Sequence, residues 1–506
     1  MRFSHLAGLS FLVPALFFMH AQIVLPHALG DHAVLQRERP IHIWGWAKPG
    51  AHLEARFHTQ TVVTEVDPLG KWNLWLAPEA AGGPYTLAIT GDGEAKVQDL
   101  LVGDVWFTSG QSNMEMPLKG FGNGTVIKDG DKEIAAATNP RLRLLLTVRK
   151  SSDYPLEDND SVWTTCTPET AANFSAVAYF FGREIAAQEK VPVGLIDSTW
   201  GGTPADSWVS LDTLGTSPEL LPAFAARAHF ADPMADDARR TEADKAGDNA
   251  AKAAGKSIPS HMWHPPETSW LPAGLYNGMI APYTPYSIKG FLWYQGETNS
   301  GHDRAAYYRT LFPALIRDWR AQFAQGALPF YFVQISSFNS PGEDWGTVRD
   351  AQRRTLQLQQ TGMAVTLDIG TPDNVHPPDK QTVSARLALA ARAMTYGEHV
   401  EYTSPLFRQA TSELRPDGTT AMRVWFDHSA GLTTKGKPVG GFELAGEDRK
   451  YFPAEARLEG QTVVVSAAAL KHPLYVRYGW QGVVNDYLYN AADLPASTFT
   501  SDDEPR

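Results

Sequence analysis

The 506-residue sequence predicts an α/β fold: a parallel sheet covered by helices and flanked by two all-β regions. Three observations carry this. Between about Leu101 and Gly397, apolar strand-like runs alternate with amphipathic stretches, the pattern of parallel strands joined by helical crossovers. Before it, from Ile23 to about Leu100, short β-forming segments such as Ile41–Trp44 and Leu87–Thr90 are separated by Pro-Gly, Leu-Gly and Gly-Gly turns. After about Glu401 such segments return, as in Met422–Phe426 and Thr462–Ser466. The expected organisation is a leader at 1–21, an N-terminal β region at 22–100, an α/β unit in two parts at 101–210 and 271–400 around an insertion at 211–270, and a C-terminal β region at 401–506.

Each element has its own signal. Arg2 and His5 precede an apolar stretch from Leu6 to Met19, and Ala21 offers a small residue before Gln22, so the start reads as a secretory signal. Leu100–Phe107 is an apolar run that predicts a buried strand. Asn173 is placed to cap a helix running to Lys190, with Phe174, Val177, Ala178, Phe181 and Ile185 on one face. Further helices are expected from Arg304 to about Phe323, from about Thr347 to Gln360, and from Pro377 to Tyr396. Strands are expected at Val193–Asp197, Ile288–Trp293, Pro329–Ile335 and Met363–Leu367. The stretch from Ala235 to Lys256, rich in Ala, Asp and Lys, reads as a helical, solvated part of the insertion.

Composition narrows the classes. With 44 Lys and Arg against 56 Asp and Glu the net charge is −12, which argues against a nucleic-acid partner. Cys166 is the only cysteine, which rules out an intramolecular disulfide and a cysteine-based metal site. A secreted chain without disulfides fits a bacterial periplasm. No other long apolar run exists, so no membrane association is expected once the leader is gone. His261 and His264 are spaced like a metal pair but no acidic or Cys ligand motif accompanies them, so neither a metal nor an organic cofactor is expected. Most of the 15 Trp are expected in cores, with aromatic faces free to serve as sugar platforms.

Four segments carry chemistry. Gly110-Gln111-Ser112-Asn113-Met114-Glu115-Met116 follows the apolar run and presents a serine at a strand's carboxyl end, where ligands bind in open α/β sheets. Met114 stands where a Gly-X-Ser-X-Gly elbow needs its second glycine, which argues against the α/β-hydrolase fold. Asp373-Asn374-Val375-His376 follows another such run between Pro372 and Pro377-Pro378. His376 is the only histidine with an Asp three residues before it, and a carboxylate-oriented imidazole is what a serine hydroxyl needs to lose its proton. Gln295-Gly296-Glu297-Thr298-Asn299 offers side-chain amides to a developing oxyanion. Trp200-Gly201-Gly202-Thr203 ends a strand in a Gly pair whose N–H groups can approach a ligand closely.

Together, and in this order, these segments resemble the SGNH hydrolases, and within them the sialate O-acetylesterase-like carbohydrate esterases. The resemblance extends to Ala33–Arg37, Trp44–Trp46, Leu275–Ile280 and Asp493–Ser497, nearly the whole chain. It implies an SGNH, flavodoxin-like three-layer sheet and a Ser112, His376 and Asp373 triad. It also implies an oxyanion hole of Ser112 N–H, Gly202 and Gln295, although the residues leave open whether Gln295 or Asn299 donates. Gln111, Glu297 and Asn299 are expected to support loops or substrate, and Trp200 to lie against a sugar. The implied reaction is removal of acetyl groups from an acetylated oligosaccharide or polysaccharide, without a cofactor. A neutral plant glycan such as xyloglucan or xylan is the favoured substrate, with a 9-O-acetylated sialic acid as the alternative and a non-catalytic glycan-binding protein as a second. A sialate carboxylate calls for a bidentate Arg. Arg349, Arg353 and Arg354 are candidates, but no motif places them at a pocket.

Overall fold

The computed structural model describes residues 22–122, 124–258 and 266–503. The expected leader at 1–21 and the His261 and His264 pair lie outside the described residues. The chain forms a mixed α/β structure with one large sheet and additional β-sheets.

Seven strands form the sheet that positions the site: β1 (Gly93–Gly110), β2 (Asn139–Leu146), β3 (Trp163–Cys166), β4 (Val193–Thr199), β5 (Gly290–Tyr294), β6 (Phe330–Gln334) and β7 (Thr361–Val365). Their order is β7-β6-β5-β1-β4-β2-β3. All neighbours are parallel except β3, which runs antiparallel to β2. The strands read as continuous apolar runs because both faces are covered: every residue of β4, β5, β6 and β7 is buried. Trp106, Trp293 and Trp319 are fully buried, and Phe107, Phe291 and Trp319 pack edge-on or tilted with centroids 5.5–6.1 Å apart. These tryptophans are core, in keeping with the sequence reading.

Strand β1 crosses residue 100 without a break. Its first half pairs antiparallel with Gly82–Gly91 of the N-terminal β region, and its second half pairs parallel with β4 and β5. Helix α1 is the single turn Ser112–Glu115; α2 spans Ala176–Glu189, α3 His302–Phe323, α4 Trp345–Thr355 and α5 Lys380–Met394. Helix α2 packs on α5, and α3 on α4. The cap of α2 differs from expectation. Asn173 ends a preceding short helix, Pro168–Ala172, and the hydroxyl of Ser175 accepts from Ala178 N–H, so Ser175 is the cap. The segment from 211 carries helices at Leu211–Leu214, Leu221–Ala228 and Ala231–Ala253.

The C-terminal strands build two four-stranded antiparallel sheets around a separate apolar cluster that includes Val424, Leu444, Val463, Val476 and Phe499. Arg349 fastens them to the α/β unit. Its fully buried guanidinium donates to the carbonyls of Ile335 and Ser336 and to those of Gln481 and Gly482, at 2.7–3.0 Å. Arg353 and Arg354 pair with Asp350 at 2.7 and 2.5 Å. All three arginines considered for a substrate carboxylate are therefore committed to structure.

Candidate active site

The carboxyl ends of β1, β4 and β5, and the loop that follows β7, converge on Ser112. Gly110 makes this possible. It has φ +140°, and a Cβ there would stand 2.1 Å from the Tyr294 carbonyl oxygen, so the chain can turn tightly against β5 only without a side chain. Gln111 N–H then donates to Tyr294 O at 3.0 Å, and Ser112 opens a one-turn helix in which Met114 is fully buried, as is Met116 just beyond it. The result is a half-buried hydroxyl on a rigid base.

His376 Nε2 lies 2.8 Å from Ser112 Oγ. The imidazole packs edge-on against Phe121 with centroids 5.3 Å apart, and His376 N–H donates to Asn374 Oδ1 at 2.9 Å. Burial, with the nearby Lys380 ammonium adding to it, pushes the imidazole down to about 4, so the ring is neutral and free to accept a proton at ordinary pH.

Asp373 is not brought to this pair. The turn closed by the Thr371–Asn374 bridge puts it at an exposed apex, and it forms no hydrogen bond or ion pair with His376. The expected carboxylate-to-imidazole contact is thus corrected: backbone, Phe121 and Ser112 hold the ring.

The amide expected of Gln295 is also corrected. Its Nε2 donates to Asn299 Oδ1 at 2.6 Å and to Thr203 O at 3.3 Å, while its Oε1 accepts from Tyr308 OH at 3.0 Å, which leaves no free donor. Asn299 is the reverse case. Ala205 N–H, which can only donate, meets its Oδ1 at 2.8 Å and so fixes the amide's orientation, leaving a fully buried Nδ2 without a partner among the described residues. Ala205 lies three residues beyond Gly202, so Asn299 is tied to the Gly-Gly turn. Gly202 sits at φ +71°, its carbonyl accepts from Trp270 Nε1 at 2.7 Å, and neither its N–H nor that of Ser112 has a hydrogen-bond partner among the described residues.

The remaining expected residues are braces or rim. Gln111 Oε1 accepts from Gly296 N–H and Thr298 N–H at 3.3 and 3.1 Å. Glu297, raised above the usual carboxylate range by burial, accepts from Asn113 Nδ2. Trp200 is half-buried, with the Arg149 guanidinium 6.0 Å from its ring centroid.

The sequence reading did not single out Asn113, Glu115, Arg149 or Lys380. Glu115 accepts from Gly201 N–H and pairs with Arg149 at 2.5 Å, so it fixes the Gly-Gly turn beside Ser112 and holds a half-exposed cation at the rim. Asn113 and Glu115 belong to the serine's own seven-residue segment, which was their only signal; Arg149 had none. Among the described residues no group of three or more His, Cys, Asp or Glu is placed to hold a metal ion.

Comparison with known proteins gives the class of the chain. A family model described as carbohydrate esterase, sialic acid-specific acetylesterase, matches residues 223–395. The chain is 31% identical to sialate O-acetylesterase of Homo sapiens over 75% of its own length and 72% of the relative's. To that of Rattus norvegicus it is 29% identical over 94% of this chain and 93% of the relative. It is similar to the crystal structure of a carbohydrate acetylesterase from Xanthomonas citri, with TM-score 0.79 and 36% identity over 95% of this chain and 100% of that one. These matches define a carbohydrate esterase. The chain belongs to the SGNH hydrolases of the sialate O-acetylesterase-like family, whose substrates are acetylated carbohydrates.

Proposed function

We propose that the chain is a serine carbohydrate O-acetylesterase in which Ser112 is the nucleophile and His376 the general base. One observation carries the assignment: Ser112 Oγ stands 2.8 Å from His376 Nε2 at the carboxyl edge of the sheet. Ser112 Oγ attacks the acetyl carbonyl as its proton passes to His376 Nε2. The tetrahedral oxyanion is met by Ser112 N–H, Gly202 N–H and Asn299 Nδ2, the last in the place expected of Gln295. The ester C–O bond breaks and His376 returns the proton to the departing sugar hydroxyl. Water, deprotonated by His376, then attacks the acetyl-serine; the Oγ–acyl bond breaks, His376 returns the proton to Ser112 Oγ, and acetate leaves. The two helix pairs, α2 with α5 and α3 with α4, are read as outer layers of a three-layer, flavodoxin-like unit, and residues 1–21 as a signal for secretion to a periplasm.

For the substrate, we infer a neutral acetylated oligosaccharide such as a xyloglucan or xylan fragment. The support is that Arg349, Arg353 and Arg354 are bound elsewhere and that Arg149, the guanidinium beside the site, already meets Glu115. Two observations favour a sialate instead: Arg149 keeps 47% of its side chain exposed next to Trp200, and curated relatives are sialate O-acetylesterases. An acetate-release screen decides between them. Faster release from acetylated xyloglucan or xylan oligosaccharides supports the first reading. Faster release from 9-O-acetylated sialic acid, selectively lost in Arg149→Ala, establishes the second.

A further inference from the structure

Behind Ser112 and His376 the chain buries a lysine and a glutamate that take no part in the acyl transfer. Asn113, the residue after the nucleophile, donates from Nδ2 to Glu297 Oε1 at 2.5 Å and to Val375 O at 2.9 Å, and accepts at Oδ1 from Lys380 Nζ at 2.5 Å. A single amide thereby joins α1, the turn after β5, the backbone just before His376 and the first turn of α5. Lys380 is fully buried, with its ammonium 5.3 Å from the Tyr294 ring centroid. Glu297 is almost as deep, and its Oε2 has no partner among the described residues.

Taking two charges out of water is costly, and well-packed apolar residues of similar volume would often serve stability as well or better. Their presence here, one amide away from the nucleophile, points to a role in the site. The groups around the ammonium are Asn113 from α1, Glu297 from the turn after β5, Tyr294 from β5 and His376 from the loop after β7, and Asp373 stands away from the ring. Among the described residues no carboxylate contacts His376, so the nearby cation acts on it unopposed by a direct partner.

We propose that Lys380 is a positioning residue: through Asn113 it keeps the nucleophile turn and the His376 loop in register, and by its charge it keeps the imidazole unprotonated and ready as a base, with Glu297 as its counter-charge. This rests on the Ser112 and His376 reading. The electrostatics agree. Burial draws Lys380 down to about 7 against the opposing pull of Glu297, so the ammonium is charged throughout the acidic range in which His376 titrates.

The test is the pH profile of kcat/KM for the unmodified chain and for Lys380→Met, Lys380→Gln and Lys380→Arg. Removing the cation favours the imidazolium, so the acid limb of both neutral variants moves to higher pH by about one unit, a tenfold rise in proton affinity. Lys380→Arg leaves the limb in place. Lys380→Met also loses the bond to Asn113 and lowers kcat with little change in KM, whereas Gln retains a donor and loses less. If Met does not accumulate as folded protein, Gln alone is read. An active neutral variant with an unmoved acid limb overturns the proposal and leaves Lys380 a structural residue. Ser112→Ala assayed alongside separates the two levels: full activity there would overturn the underlying reading instead.

Discussion

Removing the Asn299 amide tests the assignment in which structure and sequence expectation part most sharply. Asn299 Nδ2 is the one uncommitted amide donor of the turn after β5, whereas Gln295 is bonded at both ends. Loss of one oxyanion-hole donor costs about 10²- to 10³-fold in kcat, or roughly 2.7–4 kcal/mol of transition-state stabilisation. The substrate ground state feels little of this, so KM should change by less than about threefold. Asn299→Ala also strips Ala205 N–H of its acceptor, and an unsatisfied buried donor costs about 1–3 kcal/mol of stability. The two effects are separated by Asn299→Asp, which keeps an oxygen toward Ala205 and Gln295 but replaces the donor. Initial rates of acetate release, with melting curves on the same samples, supply both numbers. Both variants should lose at least about a hundredfold in kcat while still folded. The reasoning is refuted if Asn299→Asp stays within about threefold and Gln295→Glu, which preserves the acceptor for Tyr308, is the variant that collapses in rate.

Two further outcomes follow from the geometry. His376 is held near 4, below its ordinary value, so it remains an available base above that pH and is lost as a base only as pH falls through it; kcat/KM should hold its plateau to about pH 5 and fall below about 4. An acid limb near the ordinary histidine value would contradict the burial argument. Asp373, exposed and off the ring, should tolerate Asn with less than about a tenfold change in kcat; a loss of roughly 10²–10⁴ would show that its carboxylate reaches His376 during turnover.

What could be read from the sequence follows from which signals are local. Strand positions were legible because β4, β5 and β6 bury every residue and so appear as unbroken apolar runs. Ser112 and His376 were legible because each follows such a run at the edge where ligands bind. The choice between Gln295 and Asn299 was not, since it depends on Tyr308, Thr203 and Ala205, which are distant in sequence and decide which amide stays free. The place of Asp373 was likewise hidden: three-residue spacing from His376 is compatible with a carboxylate on the ring or, as here, at the tip of a turn. Lys380, in the first turn of a helix, carries no local signal of its burial, which comes from Glu297 and Asn113 in distant segments. Arg349 shows the same effect in reverse, a charge on an amphipathic helix that fastens the C-terminal strands to the sheet rather than meeting a substrate.

The central claim is that Ser112, deprotonated by His376, carries the acetyl group. The most direct measurement is mass spectrometry of the chain after reaction with a serine-directed fluorophosphonate, paired with acetate release by Ser112→Ala. The account predicts one adduct, on the peptide containing Ser112 and absent from His376→Ala, and a loss of about 10⁴- to 10⁶-fold in turnover for Ser112→Ala with the fold intact. An adduct on another residue, or acetate release by Ser112→Ala within about tenfold of the unmodified enzyme, would contradict it.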